Sequence, residues 1–440
     1  MEINYIYPLI ITEILLLFFT LYFTQVDYTS PSVVTLVMFL LSTICVLWNK
    51  NNWNVIFNGK TFLIVIVTLF VMSCTELLMY TVLNKKSRWL DQEIIKNETP
   101  FKVANTVMIG VSVLSFIFMM IFIREVRKLG GGGLASIAIV KQDEELEVSS
   151  IAKIALRVIR VLPYPCIFIF AHNVILCKQR ISKNLKLFIP VIMAVIVIFF
   201  SGSRGPYVYI VLSAFVYVVM FERYKNGWKN INIKKYIKPI IISIVLFMFI
   251  FVGTRSLVKG HEFTSTAIEY VTFYFGSPIH LLNKIVNDIS LGFPTEYKLF
   301  GANTFASFYE EMHKFGLVNE SIQLNQTAFI AVGGNFIGGG NVFTFIASPL
   351  NDFGVIGLLI YVFFFYAIIC GFYYRRIKNC RFIKRNYISV LLYGYFFYLI
   401  FMTFYVTTTV YLKMQTILEV VIMLLFYEIM IKFKVKFGKL

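Results

Sequence analysis

The chain has 440 residues, of which 58% are apolar and only 15% are charged. Charged residues alone make up about a quarter of an ordinary soluble domain, so this composition excludes a soluble globular protein and indicates an integral membrane protein. The net charge of +18 is concentrated in three short basic connectors, 223–238, 375–385 and 432–439, each beside an apolar run. Such clusters are typical of cytoplasmic loops. They set the orientation in the membrane and predict no nucleic-acid partner.

The cysteines and histidines lack the spacing of a disulfide framework or a metal site. The six cysteines lie in or beside apolar runs, which predicts small buried apolar side chains. The four histidines form no HExxH-like pattern. We therefore predict no bound metal and no cofactor.

Eleven apolar runs are long enough to cross a membrane, because a helical span needs roughly 20 mostly apolar residues. We predict an all-α integral membrane protein: a multispanning helical bundle of about 11 spans, with 10–13 as the range, forming one polytopic domain over 1–440. An amphipathic element at 151–161 would change the count. The runs occupy 5–23, 32–48, 61–83, 103–123, 162–177, 185–201, 206–222, 239–253, 343–374, 387–409 and 415–431.

Two acidic residues, Glu13 and Glu76, lie inside these apolar runs. A carboxylate at membrane depth needs a partner. We expect each to pair with a basic residue inside the bundle rather than to relay protons.

The segment 254–342 is the one long connector between spans. Counting back from the basic C-terminal tail places it outside the cytoplasm, together with the turn at 201–205. It carries three of the four histidines, and long loops of this kind usually bind ligands or carry catalysis. The runs 268–275 and 277–286 have a helical period, so we expect a helical cap over the external mouth of the bundle.

Two arginines are predicted at the external rim, where positive charge opposes the usual bias. Arg204 lies between Gly202 and Gly205, just before Pro206, and Arg255 follows Gly253-Thr254. Either arginine can be an interfacial anchor, but two at one level suggest an anionic ligand. The glycine-rich stretch 333–340 lacks the lysine of a P-loop and is most simply a pliable loop.

Several motifs, in their order and spacing, resemble the O-antigen polymerase family, which joins oligosaccharide repeat units. The resemblance covers 185–375 in motifs, and we take this region as the catalytic core. The motifs are Ser201-Gly-Ser-Arg-Gly205, Thr272-Phe-Tyr-Phe-Gly-Ser-Pro278, Phe300-Gly-Ala-Asn-Thr-Phe305 and Asn341-Val-Phe-Thr344, followed by Asp352-Phe-Gly354 and Gly357.

The related O-antigen ligases carry a histidine, then Asn, Ser or Gln, nine residues and Gly-x-x-Gly. Here Phe343 stands where the ligase histidine would be, and Thr344, nine residues, Gly354 and Gly357 keep the register. This departure favours a polymerase over a ligase. It also means that the ligase's proposed base has no counterpart at Phe343.

The resemblance implies a metal-independent glycosyltransferase with a fold of the glycosyltransferase C type, in the inner or plasma membrane of a bacterium. Such an enzyme moves a growing chain from undecaprenyl pyrophosphate to the sugar of an incoming lipid-linked repeat unit on the external face. The product is an O-antigen or a capsular type of polysaccharide. The implied partners are the lipid-linked oligosaccharide, membrane lipids, a chain-length regulator and a flippase.

The resemblance also gives a set of site residues. Arg204 and Arg255 match the family's external arginines, which would neutralise the departing pyrophosphate, and Asp352 is a third catalytic candidate, unless it is the salt-bridge partner of an arginine. The predicted substrate-binding residues are Ser203, Asn341, Thr344, His261, His280 and Tyr274. Candidates for the general base are His261, Glu262, Glu269, His280, Glu310, Glu311, His313 and Asp352.

Two alternative functions remain open. One is an O-antigen ligase, which transfers a finished chain to the lipid A core. The other is a transporter or flippase of lipid-linked oligosaccharide. Transporters commonly contain internal repeats with broken helices and polar groups near mid-membrane. The sequence has no evident repeat, and its distinctive polar groups are predicted at one face.

Overall fold

The structure is a computed structural model that describes residues 4–84, 98–131, 148–226, 228, 266–293, 297–319, 327–378, 383–407 and 413–433. Within these ranges, ten helices are long and apolar enough to cross a membrane. They correspond to ten of the eleven predicted runs. The eleventh, 239–253, lies outside the described residues. The prediction of a multispanning all-α membrane protein is therefore confirmed.

The described residues form α-helices and one β-hairpin. The α-helices are Ile6–Phe23, Pro31–Trp48, Gly59–Asn84, Asn105–Leu129, Ser150–Val161, Pro163–Ala171, Phe188–Phe200, Gly205–Lys225, Ala267–Ile285, Ala306–Lys314, Ala347–Phe372, Ile383–Phe401 and Met414–Lys432. The two hairpin strands are Ile330–Gly333 and Phe336–Gly340.

The chain divides into two compact units, although the hydropathy pattern suggests a single polytopic domain. Unit 1 comprises Met1–Ser87, Ser265–Asn379 and Leu399–Thr416. Unit 2 comprises Arg88–Thr264, Cys380–Tyr398 and Ile417–Leu440. Each unit combines segments that are far apart in sequence, and hydropathy along the chain carries no information about which spans pack together.

In unit 1 the Pro31–Trp48 helix is the central one. Most of its side chains are buried, whereas the Ile6–Phe23 helix beside it leaves most of its apolar surface exposed, as expected of a lipid-facing span. The Ala267–Ile285 helix packs along the central helix, because Gly276 lets the backbones meet: a Cβ there would lie 3.1 Å from the backbone nitrogen of Val46. The two predicted surface runs thus form one helix that is largely buried.

The glycine-rich stretch is a folded hairpin and not the pliable loop that its composition predicts. Gly334 has φ +64°, and a Cβ there would lie 2.3 Å from the carbonyl oxygen of Asn52. The backbone nitrogen of Asn335 donates to that same oxygen at 2.8 Å. Glycine is needed here because the turn is left-handed and presses against another loop of unit 1.

The expected basic partners of Glu13 and Glu76 are absent from the described residues, so that prediction is wrong. The hydroxyl of Thr43 donates to Glu13 at 3.1 Å. Glu76 accepts from the backbone nitrogen of Ser32 at 2.6 Å and from the Tyr374 hydroxyl at 2.6 Å. Glu76 thereby satisfies an N–H group at the start of the central helix, where the helix dipole favours a negative charge.

The two ends of unit 1 are distinct. At one end the buried carboxylate of Asp27 accepts a hydrogen bond from the Tyr373 hydroxyl at 2.8 Å and pairs with the ammonium of Lys378 at 3.2 Å. At the other end lie the hairpin turn and the 49–58 loop, where the Tyr5 nitrogen donates to the Phe57 carbonyl at 2.9 Å. The turn after the first span therefore shares an end with the basic connector that begins at Arg375.

In unit 2 the amphipathic 151–161 element is the first part of a span and not an additional one. Leu162 has helical dihedral angles, φ −61° and ψ −33°, so the Ser150–Val161 helix runs directly into Pro163–Ala171. The Ile383–Phe401 helix approaches Gly205–Lys225 closely because Gly394 has no side chain: a Cβ there would lie 2.1 Å from the Tyr217 ring. The hydroxyl of Ser213 donates to the Gly394 carbonyl at 2.7 Å.

Candidate functional site

The turn between two spans of unit 2 carries Ser203 and Arg204. Gly202 has φ +64°, a left-handed conformation that ends the Phe188–Phe200 helix. Pro206 then begins the next helix at a position where its missing N–H costs nothing. The Ser203 nitrogen donates to the Ser201 hydroxyl at 3.4 Å, and Arg204 is half-buried. The turn predicted from the glycines and proline is confirmed.

A second arginine, Arg160, reaches the same turn. Its Nη2 donates to the Ser201 hydroxyl at 3.3 Å, and its buried Nε has no hydrogen-bond partner. It lies near the end of the Ser150–Val161 helix and is half-buried. Arg160 therefore contacts the polar turn that contains Arg204, and both arginines belong to unit 2.

A carboxylate and several tyrosines surround Arg160. The Tyr395 hydroxyl donates to Glu419 Oε2 at 2.8 Å. Glu419 and the phenols of Tyr164, Tyr209 and Tyr395 are close enough to Arg160 to interact with it electrostatically. The rings of Tyr164 and Tyr395 meet edge to face at 4.8 Å, and those of Tyr209 and Tyr398 stack at 4.3 Å. We name this set the arginine cluster; it comprises Arg160, Tyr164, Ser201, Ser203, Arg204, Tyr209, Tyr395, Tyr398 and Glu419.

The arginine cluster combines buried rings with reachable charges. Tyr164, Tyr395 and Tyr398 are buried, whereas the two arginines and Glu419 are half-buried. Arginine remains charged in such surroundings and pairs bidentately with phosphate oxygens. The arrangement can therefore bind an anion next to a carboxylate that is held in place.

Two predicted site residues, Arg255 and His261, lie outside the described residues, as does Glu262. The other predicted site residues lie in unit 1, apart from Ser203 and Arg204. Asp352, Asn341, Thr344, His280 and Tyr274 are thus assigned to a different unit from the turn.

Asp352 is engaged by the Phe300–Phe305 motif and by no basic residue among those described. Its Oδ1 accepts from the side-chain amide of Asn303 at 2.9 Å and from the Asn303 nitrogen at 3.3 Å. Its Oδ2 accepts from the Thr304 nitrogen at 2.6 Å. The predicted salt bridge to an arginine is therefore not formed within these ranges. The carboxylate instead caps a turn, in which Gly301 has φ +67°.

His280 is buried beside the hairpin. Its Nε2 lies 3.0 Å from the carbonyl oxygen of Val332, so Nε2 carries the hydrogen and donates. Its ring lies 5.8 Å from that of Trp53, which is also buried. Burial, and to a smaller extent the nearby Lys284, lower the pKa of His280 to about 4, although the hydrogen bond to Val332 opposes this shift. These contacts make His280 part of the packing of unit 1.

The remaining substrate-binding candidates have mixed surroundings. Tyr274 packs against the rings of Tyr270 and Phe273. Thr344 is fully buried, whereas Asn341 is exposed and its carbonyl accepts from the Thr327 hydroxyl at 2.7 Å. Within unit 1 these residues do not form one charged cluster comparable to that of unit 2.

The acidic candidates for a general base in the loop also have structural partners. Glu269 closes a capping box with Thr266 at the start of its helix. Glu310 is paired with Lys314 at 3.0 Å and with Lys413 at 3.5 Å; burial raises its pKa, but these cations outweigh burial and hold it below the usual value. His313 Nδ1 lies 2.9 Å from the Val318 carbonyl.

Sequence reasoning missed most of the arginine cluster. Arg160 lies inside the amphipathic 151–161 element, and Glu419, Tyr209 and Tyr395 are not among the predicted site residues. One available signal was that Glu419 is an ionisable residue within an apolar run, which marks a candidate site by default. The electrostatic interaction with Arg160 joins positions more than 250 residues apart, and no local pattern reveals it.

The described residues contain no group of three or more His, Cys, Asp or Glu arranged to hold a metal ion. No protein-family model, curated protein or solved structure matches this chain.

Proposed function

We propose that this membrane protein is a glycosyltransferase that polymerises lipid-linked oligosaccharide repeat units. The growing glycan moves from undecaprenyl pyrophosphate to a sugar hydroxyl of an incoming undecaprenyl-pyrophosphate repeat unit. The observation that carries the proposal is a pair of half-buried arginines at the Ser201–Gly205 turn: Arg204 lies within the turn, and Arg160 donates to its Ser201 hydroxyl. The motif resemblance supplies the substrate class.

The chemistry needs such a pair. Breaking the bond between the anomeric carbon and the phosphate develops negative charge on a pyrophosphate that is already strongly anionic. Preorganised cations at the leaving group are the main help that a protein can give. Two guanidinium groups, each able to grip two phosphate oxygens, can do this without a metal ion. Among the tyrosines of the cluster, Tyr209 is half-buried rather than buried, so its side chain is the one within reach of the adjacent sugar.

The proposed location is the inner or plasma membrane of a bacterium, with the site on the external face. The basic residues from Arg375 to Lys378 predict that their end of unit 1 is cytoplasmic. Asp27, in the turn after the first span, pairs with Lys378, so in the proposed orientation this turn is cytoplasmic and the N-terminus and the hairpin are external. A reporter active only outside the cytoplasm should be on when fused after Lys298 and off after Lys229 or Lys378.

The decisive experiment is polymerisation by the purified protein in lipid nanodiscs, supplied with lipid-linked repeat units alone. A ladder of longer lipid-linked glycans supports the proposal. Absence of a ladder from well-folded protein contradicts it.

Cells lacking the protein separate the alternatives. Single repeat units on the core would indicate a polymerase, absence of external glycan a flippase, and lipid-bound chains that never reach the core a ligase. A chain-length regulator and a flippase are the protein partners that the proposed pathway position requires.

A further inference from the structure

The proposed reaction needs a group that takes the proton of the acceptor hydroxyl, a role typically worth a factor of about 10² to 10⁴ in rate. This group has to lie near the cations that hold the leaving group, because acceptor and leaving group are bonded to the same carbon in the transition state. A candidate for this general base is therefore a carboxylate or an imidazole beside Arg160 and Arg204.

The other carboxylates in the described part of unit 2 have other partners. Glu98 accepts from Tyr387, Glu125 from the Ser149 nitrogen, Glu222 pairs with Lys225, and Glu428 pairs with Lys432. Glu419 is the carboxylate that interacts electrostatically with Arg160.

The geometry of Glu419 suits a base that meets a substrate. Its side chain is half-buried, so part of it is reachable. One oxygen, Oε2, is held by the Tyr395 hydroxyl at 2.8 Å. The ring of Tyr395 is itself fixed by burial and by the edge of Tyr164. A carboxylate has two oxygens with about four acceptor positions, so it can accept from Tyr395 and from a substrate hydroxyl together.

Resting on the proposed function, we propose that Glu419 is the general base for the acceptor sugar. Its carboxylate takes the hydroxyl proton as the hydroxyl oxygen bonds to the anomeric carbon of the donor. The bond from that carbon to the phosphate oxygen breaks, and the lipid pyrophosphate leaves with the electron pair. Arg160 and Arg204 stabilise the leaving group, and Tyr395 is a positioning residue that orients the base.

The competing role for Glu419 is that of a counter-charge which only neutralises Arg160. A partly buried cation needs such a partner, and its removal would disturb the fold or the arginine. The two roles differ in what they affect. A base acts on turnover and leaves donor binding unchanged, whereas loss of a counter-charge alters donor binding or the amount of folded protein.

The test compares Glu419→Gln with the wild-type protein in nanodiscs. Gln has almost the same size and can still accept from Tyr395, but it cannot take a proton at neutral pH. We expect turnover with lipid-linked repeat units to fall by a factor of about 10² to 10⁴. We expect binding of undecaprenyl pyrophosphate alone to change by less than about threefold, since RT ln 3 is only about 0.6 kcal/mol.

The matched control is Glu428→Gln on the same helix. Glu428 pairs with Lys432 at 2.5 Å in an exposed i, i+4 pair, so its replacement should leave both turnover and undecaprenyl pyrophosphate binding unchanged. Wild-type turnover in Glu419→Gln, or a loss of binding that matches the loss of turnover, overturns the assignment of Glu419.

A second variant keeps the test decisive if Glu419→Gln does not accumulate. Glu419→Asp retains the negative charge for Arg160 but withdraws it by one methylene. Reduced turnover with unchanged undecaprenyl pyrophosphate binding supports the base, and full turnover overturns it. An inactive wild-type protein would instead contradict the proposed function, so the two failures are distinguishable.

Discussion

Acidic side chains in the two units are held in different ways. In unit 1, Glu76 and Asp352 complete a helix start and a turn by accepting backbone N–H groups, and Asp27 forms a buried ion pair. In unit 2, Glu419 is half-buried and interacts electrostatically with Arg160, which contacts the polar turn that contains Arg204. An ionisable residue in an apolar run thus marks a candidate site only, because in unit 1 such residues complete the backbone structure. A functional site is better indicated by opposite charges that are only partly buried and that have buried neighbours to hold them.

Among the changes that compare the two units, those to the arginines should have the largest effect, and this effect is on catalysis. Arg160→Lys and Arg204→Lys each keep the charge but lose the bidentate fork, so polymerisation should fall by roughly 10² to 10³ while protein levels stay normal. Arg255→Lys should behave in the same way if the motif resemblance holds at that position. Glycan length and protein amount in cells measure both quantities.

Arg157→Lys is the control for the arginine variants, because Arg157 lies one turn before Arg160 on the same helix. An arginine that only anchors a helix at the interface should tolerate lysine, which reaches the interface equally well. Long glycans from both Arg160→Lys and Arg204→Lys would therefore contradict the proposal that unit 2, unlike unit 1, carries a functional site at its charged residues.

The next largest effect is expected on stability, from a change to the helix packing that supports the arginine cluster. In Gly394→Ala the new methyl group would meet the buried ring of Tyr217, and overpacking of this kind typically costs about 1–3 kcal/mol. Because Tyr395 is the next residue, we expect turnover to fall as well. Gly371→Ala is the control, since nothing lies within 4 Å of its added Cβ. Equal thermal stability of the two variants would contradict the close approach.

Variants of Asp352 test whether the carboxylates of unit 1 are structural rather than catalytic. Asp352→Ala leaves the Asn303 and Thr304 nitrogens without their acceptor, at a cost of about 1–3 kcal/mol. We expect less folded protein but nearly normal turnover per folded molecule. Asp352→Asn, which keeps one acceptor oxygen, should be intermediate in stability. If Asp352→Asn accumulates normally and is inactive, Asp352 is catalytic, as the motif resemblance suggests.

His280 gives a smaller, pH-dependent effect. Burial lowers its pKa to about 4 in the folded protein, below the ordinary value near 6.5, so the unfolded chain binds the proton more readily. Stability should be complete above about pH 6.5 and fall as the pH drops towards 4, by on the order of 2 kcal/mol at pH 5. The measurement is the thermal midpoint of the purified protein at pH 7.5 and 5.

In His280→Gln the fall in thermal midpoint on acidification should shrink. His313→Gln, in an exposed part of the loop, should leave it as in the wild type. An identical fall in all three proteins would show that His280 does not set the acid sensitivity of unit 1.

The smallest expected effect is that of metal removal. If the arginines neutralise the pyrophosphate, polymerisation by the purified protein should be unchanged in EDTA. Activity that disappears in EDTA and returns with Mg²⁺ or Mn²⁺ would mean that a cation shares this role. The arginine account would then have to be revised.

The sequence by itself determined the membrane class, the ten described spans and the Ser201–Gly205 turn. These features follow from composition, from local runs of apolar residues, and from the backbone freedom of Gly202 with the fixed φ of Pro206. Composition is a property of the whole chain, and the spans and the turn depend on residues that are near one another in the sequence. None of them requires knowledge of tertiary contacts.

Tertiary structure alone decided which polar residues meet. Glu76 caps a helix that begins more than 40 residues earlier in the sequence. Glu419 interacts electrostatically with Arg160, which is more than 250 residues away in the sequence. Hydropathy identifies a buried span but not its neighbours, because every span is apolar on the outside and lipid does not discriminate among them. The partner of a buried charge is therefore fixed by helix packing, and its role follows from that partner.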